Sequence, residues 1–215
     1  TVRRTPNIAL LATGDEIVRP GDPVGPNQII SSNTLALMCL IKASGGEAID
    51  LGIANDNEDS LRALAQSARG ADMLVTMGGA SVGDHDLVRK VLGEVGLELN
   101  FWRIAMRPGK PLIFGRIAGT PMMGMPGNPV SSLVCGLVYL RPAIRAMLGL
   151  DPHSTNLTAI LGCDLGANDQ RQDYLRAKAS KNGNGELVAT PFDKQDSSML
   201  FRLTQAHCLI LRAPH

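Results

Sequence analysis

The chain has 215 residues, 21 Lys and Arg against 20 Asp and Glu, and a formal net charge of +1. With 44% hydrophobic and 19% charged residues it has a core to bury and is not a disordered segment, and its length allows one large domain or a large one plus a small one. The balanced charge argues against bulk nucleic acid as the main partner, seven aromatics make a base-stacking platform a poor fit, and no run approaches the roughly 20 apolar residues of a membrane span.

In chain order, Ile8 to Ala12 reads as a buried strand, followed by a Gly/Pro-rich loop from Gly14 to Gln28. Ser32 or Asn33 is placed to cap an amphipathic helix that ends at Gly45-Gly46. Ala48 to Ile53 and Met73 to Met77 read as strands, with helical patterns over Asn57 to Ala68 and Asp84 to Gly93. Leu97 to Ala105, Pro111 to Ile117 and Pro121 to Met125 are further strand candidates, and a long apolar helix runs from about Pro129 to Leu148. This alternation predicts an α/β fold with a doubly wound, mostly parallel sheet and helices on both faces.

After Gly149-Leu150-Asp151-Pro152 the texture becomes short alternating strands: Asn156 to Leu161, Tyr174 to Ala179, Leu187 to Pro191 and Cys208 to Arg212. Asn182-Gly183-Asn184-Gly185 is a hairpin signal, and Met199 to Gln205 a short helix. The expected division is an α/β domain at 1–150 and a small β-rich, barrel-like domain at 151–215. Cys39, Cys135, Cys163 and Cys208 lack paired spacing, which suggests buried or half-buried thiols in a reducing cytosol rather than disulfides or a zinc site.

Ligands of open parallel sheets bind beyond the carboxyl ends of the strands, so the loops that follow strands carry the argument. Thr13-Gly14-Asp15-Glu16 sets a hydroxyl and two carboxylates after the first strand, chemistry for Mg²⁺ or a base, or for an ordinary turn. Gly78-Gly79-Ala80-Ser81-Val82-Gly83-Asp84-His85-Asp86 joins a strand to a helix start, and glycines there let backbone N–H groups approach a phosphate. Asp84 and Asp86 fit either a metal or simple stabilisation of the helix dipole. Arg107-Pro108-Gly109-Lys110-Pro111 holds two cations on a stiff turn suited to a phosphate or oxyanion, or is a basic surface turn. In Pro126-Gly127-Asn128-Pro129-Val130-Ser131, Asn128 reads as an N-cap and Pro129 as the first helical residue, whose neighbouring N–H groups suit a second anion. Together the four loops fit a multiply anionic, metal-assisted ligand. No Ser–His–acid or Cys–His set is present to favour nucleophilic hydrolysis.

These motifs, with Ser32-Asn33 and Gly124-Met125 added, resemble the molybdenum-cofactor biosynthesis domain. More narrowly they resemble its molybdopterin molybdenumtransferase branch, that of bacterial MoeA and of the plant and gephyrin E domains. The resemblance implies insertion of molybdate into adenylylated molybdopterin with release of AMP, in the cytoplasm, with Mg²⁺ or a similar divalent ion. It implies Glu16, Asp56 and Asp86 as the acidic site residues, with Asp86 and Glu16 on the metal, and Arg107 and Lys110 on molybdate or phosphate. Thr13, Gly14, Asp15, Asn33, Gly78, Gly79, Ser81, Gly83, Asp84, Pro126, Gly127, Pro129 and Ser131 would surround the pterin and its phosphate. Arg107 departs from the family, which commonly has Lys there. Family members also carry two further domains before this region and a longer C-terminal one, so the chain is expected to be a piece of a longer enzyme, homodimeric when whole. Two other readings use the same domain. One is the preceding step, molybdopterin adenylyltransferase, against which the β-rich extension and Pro-Gly-Lys-Pro argue. The other is a non-catalytic scaffold, for which no partner groove is marked.

Overall fold

The structure, a computed structural model, describes residues 2–55, 57, 59–60, 63, 66, 69–78, 93–94, 96–153 and 156–215. Its main sheet has the strand order β4-β1-β5-β9-β8-β6, formed by β1 (Asn7–Thr13), β4 (Glu47–Ala54), β5 (Met73–Met77), β6 (Leu97–Trp102), β8 (Ile113–Ile117) and β9 (Thr120–Met125). β4, β1, β5 and β9 pair in parallel, and β8 runs antiparallel to both β9 and β6. Two-residue strands β2 (Ile17–Val18) and β3 (Ile29–Ile30) make a separate parallel ribbon inside the stretch that reads as a plain loop. Two residues each are too few to leave a period in the sequence.

β1 shows why both faces of the sheet must be covered. Ile8, Leu10 and Ala12 enter one apolar cluster, while Ala9 and Leu11 enter another on the opposite side, and all five are at most 1% exposed. Such near-continuous apolar strands belong to a parallel sheet buried on both sides. The first face is covered by α1 (Asn33–Ala43), through Leu37 and Ile41, and by α2 (Pro129–Met147), through Val130, Val134, Cys135, Leu140 and Ile144. At about 1.5–3 kcal/mol for each large aliphatic side chain, this face is the main stabilising surface. Most of the residues read as helical within 57–68 and 84–93, including Leu61, Leu64, Leu87 and Val91, lie outside the described residues.

α2 is 19 residues long and apolar enough to cross a membrane by length and composition, more than the sequence reading allowed, but its buried stripe lies in this core. Its middle turn, Gly136–Leu140, is π-helical. Gly136 belongs there because a Cβ would lie 2.6 Å from Leu40 Cδ2 of α1. Cys39 and Cys163 are exposed, contrary to the expectation of covered thiols, whereas Cys135 is buried and its thiol is pushed up to about 12 by burial.

The second sheet has the order β10-β12-β11-β13: β10 (Ile160–Leu161), β11 (Gln172–Lys181), β12 (Leu187–Pro191) and β13 (Cys208–Arg212). The β11–β12 turn matches its sequence signal: the Asn182 side-chain oxygen accepts from the Asn184 and Glu186 N–H groups, and Gly185 sits at φ 80°. The short helix α3 spans Leu200–Thr204. One strand crosses from the first part of the chain. β7 (Met106–Arg107) pairs in parallel with β11, setting Arg107 beside Asp173.

Candidate active-site cavity

The sheet register brings four loops to one edge. Ala12 lies beside Met77, Met77 beside Met125, and Thr13 beside Ala54, so the carboxyl ends of β1, β4, β5 and β9 are level. Beyond this edge is a cavity of about 560 Å³ lined by Thr13 and Glu16, by Ser31, Ser32 and Asn33, by Gly78, and by the loop Pro126 to Pro129 with Ser131. Of the sequence-derived site residues, Thr13, Glu16, Asn33, Gly78, Pro126, Gly127, Pro129 and Ser131 therefore meet at one place. Gly78 sits at φ 91°, where a Cβ would overlap the Thr13 carbonyl, and Gly127 faces it: a Cβ on Gly127 would lie 3.7 Å from the Gly78 Cα. Glycine is required at 78, where β5 ends against the Thr13 carbonyl at a positive φ, whereas Gly127 has room for a Cβ.

Two residues read as helix caps do different work. Ser32 is the N-cap of α1 by position but makes no side-chain cap bond. Asn33 donates from Nδ2 to the Gly127 carbonyl at 2.6 Å, which leaves its Oδ1 buried and without a partner. Asn128 makes no cap bond either; its Nδ2 donates to Ser197 Oγ at 3.0 Å. The Val130 N–H donates to the Ser197 carbonyl at 3.1 Å, so the start of α2 spends a donor on the second part of the chain instead of leaving it for an anion. Both amides thus tie the cavity walls together.

The ribbon β2–β3 forms an apolar wall through Ile17, Ile29 and Ile30. It is pinned by the Ile29 N–H on the Glu16 carbonyl at 2.7 Å and the Ser31 N–H on the Val18 carbonyl at 2.8 Å. Gly14, at φ 136°, lies against Glu16, whose carboxyl a Cβ would overlap. Neither Gly14 nor Asp15 lines the cavity. Asp56, Gly79, Ser81, Gly83, Asp84 and Asp86 lie outside the described residues. Among the described residues no three His, Cys, Asp or Glu side chains converge, and Glu16 is the one carboxylate that lines the cavity.

The two cations of the Arg107–Pro111 turn are not brought to this cavity; Pro111 is. Arg107 instead grips Asp173, its Nε at 2.8 Å and its Nη2 at 2.7 Å from the two carboxylate oxygens, with Nη1 3.2 Å from Asp169. Asp173 raises the guanidinium above its ordinary value through these bonds. Lys110 lines a different cavity, with Arg103, Asp169 and Arg171.

The sequence reading missed two residues near the site. Ser198 lines the main cavity, and its N–H and Oγ both donate to Asp196. Behind it lies Arg176, fully buried, with Nη1 on the Asp196 carbonyl at 3.0 Å, Nε on Gln195 at 3.1 Å and Nη2 without a partner. An arginine between Leu175 and Ala177 in a core strand is the one sequence signal that marks it.

Acid should loosen this region. The Arg171 side chain, then its backbone N–H, hold the Asp169 carboxyl down at about 2, against an ordinary 3.8. A depressed carboxylate stabilises the fold above its unfolded value and stops doing so as pH falls through the folded one. The expected result is an unfolding midpoint that is flat in mild acid and drops between 3.8 and about 2. Asp169→Asn should shrink that drop, as read by thermal unfolding against pH.

A parallel-dominant α/β sheet whose strand-end loops line a cavity of mixed polar and apolar character, with a second, mixed sheet clasped to it, defines a ligand-binding domain of the strand-edge class. The chain belongs to the molybdopterin-binding domain family: residues 9–146 match the family described as "Probable molybdopterin binding domain", and residues 158–215 match the MoeA C-terminal region (domain IV). It is 34% identical over 210 residues to the molybdopterin molybdenumtransferase of Haemophilus influenzae, covering 95% of this chain and 51% of that one. It is 39% identical over 153 residues to the protein of the same name from a Nostoc species, covering 69% and 35% of the two chains. A molybdopterin biosynthesis MoeA protein from Pyrococcus horikosii superposes with a TM-score of 0.80 at 33% identity, over 97% of this chain and 50% of that one. The chain spans about half the length, or less, of the curated relatives it matches.

Proposed function

We propose that the chain binds adenylylated molybdopterin in the main cavity and serves its conversion, with molybdate, to the molybdenum cofactor and AMP. The single observation that carries the reading is the meeting of Thr13, Glu16, Asn33, Gly78 and the Pro126–Pro129 loop around one cavity in a member of this family. Asn33 supplies the recognition chemistry. Its Nδ2 is spent on Gly127, so its Oδ1 is a fixed acceptor that lacks a donor, matched by a ring or amino N–H of a pterin. The apolar ribbon wall of Ile17, Ile29 and Ile30 suits the flat heterocycle beside it. Arg176, fully buried with Nη1 on the Asp196 carbonyl and Nη2 unpartnered, is assigned to oxyanion charge.

Mg²⁺ is part of the proposal, with Glu16 and Asp86 as its ligands; bound there it would neutralise phosphate charge. The residues themselves orient the pterin, shield it from water on the ribbon side and hold oxyanion charge. The division into units at 1–150 and 151–215, the cytoplasmic setting and the homodimer of the whole protein belong to the same proposal.

The test is calorimetric titration of adenylylated molybdopterin into the chain, followed by molybdate with AMP release measured. Binding with release supports the transfer reading. Consumption of ATP with molybdopterin in place of molybdate would move the assignment to the adenylyl-transfer step. Asn33→Ala should weaken pterin binding about tenfold, the cost of one buried hydrogen bond.

A further inference from the structure

Two asparagines in the chain are followed directly by glycine, Asn182 and Asn184, and both lie exposed in the turn between β11 and β12. Neither lines the main cavity. We propose that Asn184 is a site of spontaneous covalent modification, passing through a succinimide to aspartate and isoaspartate, while Asn182, in the same local sequence, is held back by its hydrogen bonds.

The chemistry needs only water and hydroxide. Hydroxide takes the N–H proton of the following glycine, and the glycine nitrogen attacks the asparagine Cγ. A new C–N bond forms, the Cγ–Nδ2 bond breaks, and Nδ2 takes a proton from water and leaves as ammonia, which regenerates the hydroxide. Water then opens the succinimide at either carbonyl. One opening gives aspartate; the other reroutes the main chain through Cβ and gives isoaspartate. Nothing is oxidised or reduced. Glycine favours the attack because it has no Cβ to shield its nitrogen and its backbone turns freely. At both Gly183 and Gly185 an added Cβ would meet nothing within 4 Å, so no neighbouring group crowds either one.

The local sequence makes the two asparagines alike, and hydrogen bonding separates them. Asn182 Oδ1 accepts from the Asn184 and Glu186 N–H groups, both at 3.0 Å, and its Nδ2 donates to Glu186 Oε2 at 2.9 Å. All of these bonds must give way before the Asn182 carboxamide can swing onto the Gly183 nitrogen. The Asn184 N–H is engaged, but its side chain has no hydrogen-bond partner among the described residues. The bond that stands in its way is on the nucleophile: the Gly185 N–H donates to the Asn182 carbonyl at 2.9 Å. Three bonds against one, with a carboxylate in the larger set, make Asn182 the slower by about tenfold or more. The product at Asn184 carries a new carboxylate two residues from Glu186. The β11–β12 ladder, from Lys181–Leu187 to Ala177–Pro191, lies outside the altered turn.

The experiment is incubation of the whole chain at mildly alkaline pH, with timed tryptic mapping of the peptide 182–194, which carries both pairs, against an unincubated control. Fragment masses assign each loss of amide, and enzymatic methylation of isoaspartyl carboxyls counts the rerouted product. Loss at Asn184 about tenfold or more ahead of Asn182 is expected, at a rate that climbs with pH. In urea the gap should close, because the bonds that hold Asn182 are gone. Glu186→Ala removes the Nδ2 partner and should speed Asn182 several-fold while leaving Asn184 unchanged, in a variant whose circular dichroism matches the parent. Equal rates in the folded chain overturn the proposal. So does faster loss at Asn182, which would mean that the two donors on its oxygen activate the amide instead of locking it. Loss at both sites in urea with none at Asn184 in the folded chain overturns it as well.

Discussion

Arg107→Ala is expected to lower the unfolding free energy by about 3 kcal/mol, the low end of what breaking a buried ion pair costs. Asp173 is fully buried, and Arg107 supplies two bonds to it, at 2.8 and 2.7 Å. Once Arg107 is gone, the nearest remaining cation is Arg212, at 3.5 Å, which is too far to replace a two-pronged grip. The estimate stays at the low end because the Arg107 side chain is 45% exposed and solvent screens its half of the pair. Arg107→Lys should recover only part of the loss, because an ammonium cannot reproduce the planar fork. A denaturant cycle combining Arg107→Ala with Asp173→Asn checks the coupling. If Arg107→Ala leaves stability intact and instead abolishes oxyanion binding, the residue serves ligand and the clasp is incidental.

That expectation marks where the sequence could be read and where it could not. The apolar runs Ile8–Ala12 and Met73–Met77 are legible because a strand buried on both faces leaves an unbroken apolar signature, and the structure extends the first by one residue at each end. The strand-edge rule then gathers Thr13, Gly78 and Pro126 without further information. Arg107 is different. Its sequence neighbours present a phosphate-binding turn, but its partner Asp173 is 66 residues away in a strand whose pairing with β7 is only two residues long. Nothing local announces such a contact. Asn33 and Asn128 fail the same way: each sits where caps sit, yet finds a stronger partner on a loop that only the tertiary fold brings near. Long-range polar pairing, not secondary structure, is what the sequence hides here.

The two glycines that face each other across the cavity floor should respond in opposite ways to one added methyl group. At Gly78 the backbone is at φ 91° and the Cβ would overlap the Thr13 carbonyl, which belongs to a buried strand end that cannot retreat. Gly78→Ala is therefore expected to cost about 3 kcal/mol of stability, combining left-handed backbone strain with displacement of β1. At Gly127 the backbone is outside the left-handed region, and the new Cβ would meet the Gly78 Cα at 3.7 Å, an ordinary contact. Gly127→Ala should thus leave stability within about 0.5 kcal/mol. Its methyl group would nevertheless stand on the wall of the cavity, where a ligand must come close to backbone. Affinity for adenylylated molybdopterin should fall about tenfold or more while the unfolding midpoint holds. Thermal unfolding and calorimetry on the same two variants separate the effects. Unchanged affinity in Gly127→Ala would mean that the pterin does not lie against this loop, and would remove the main cavity as its site even though the family assignment stands.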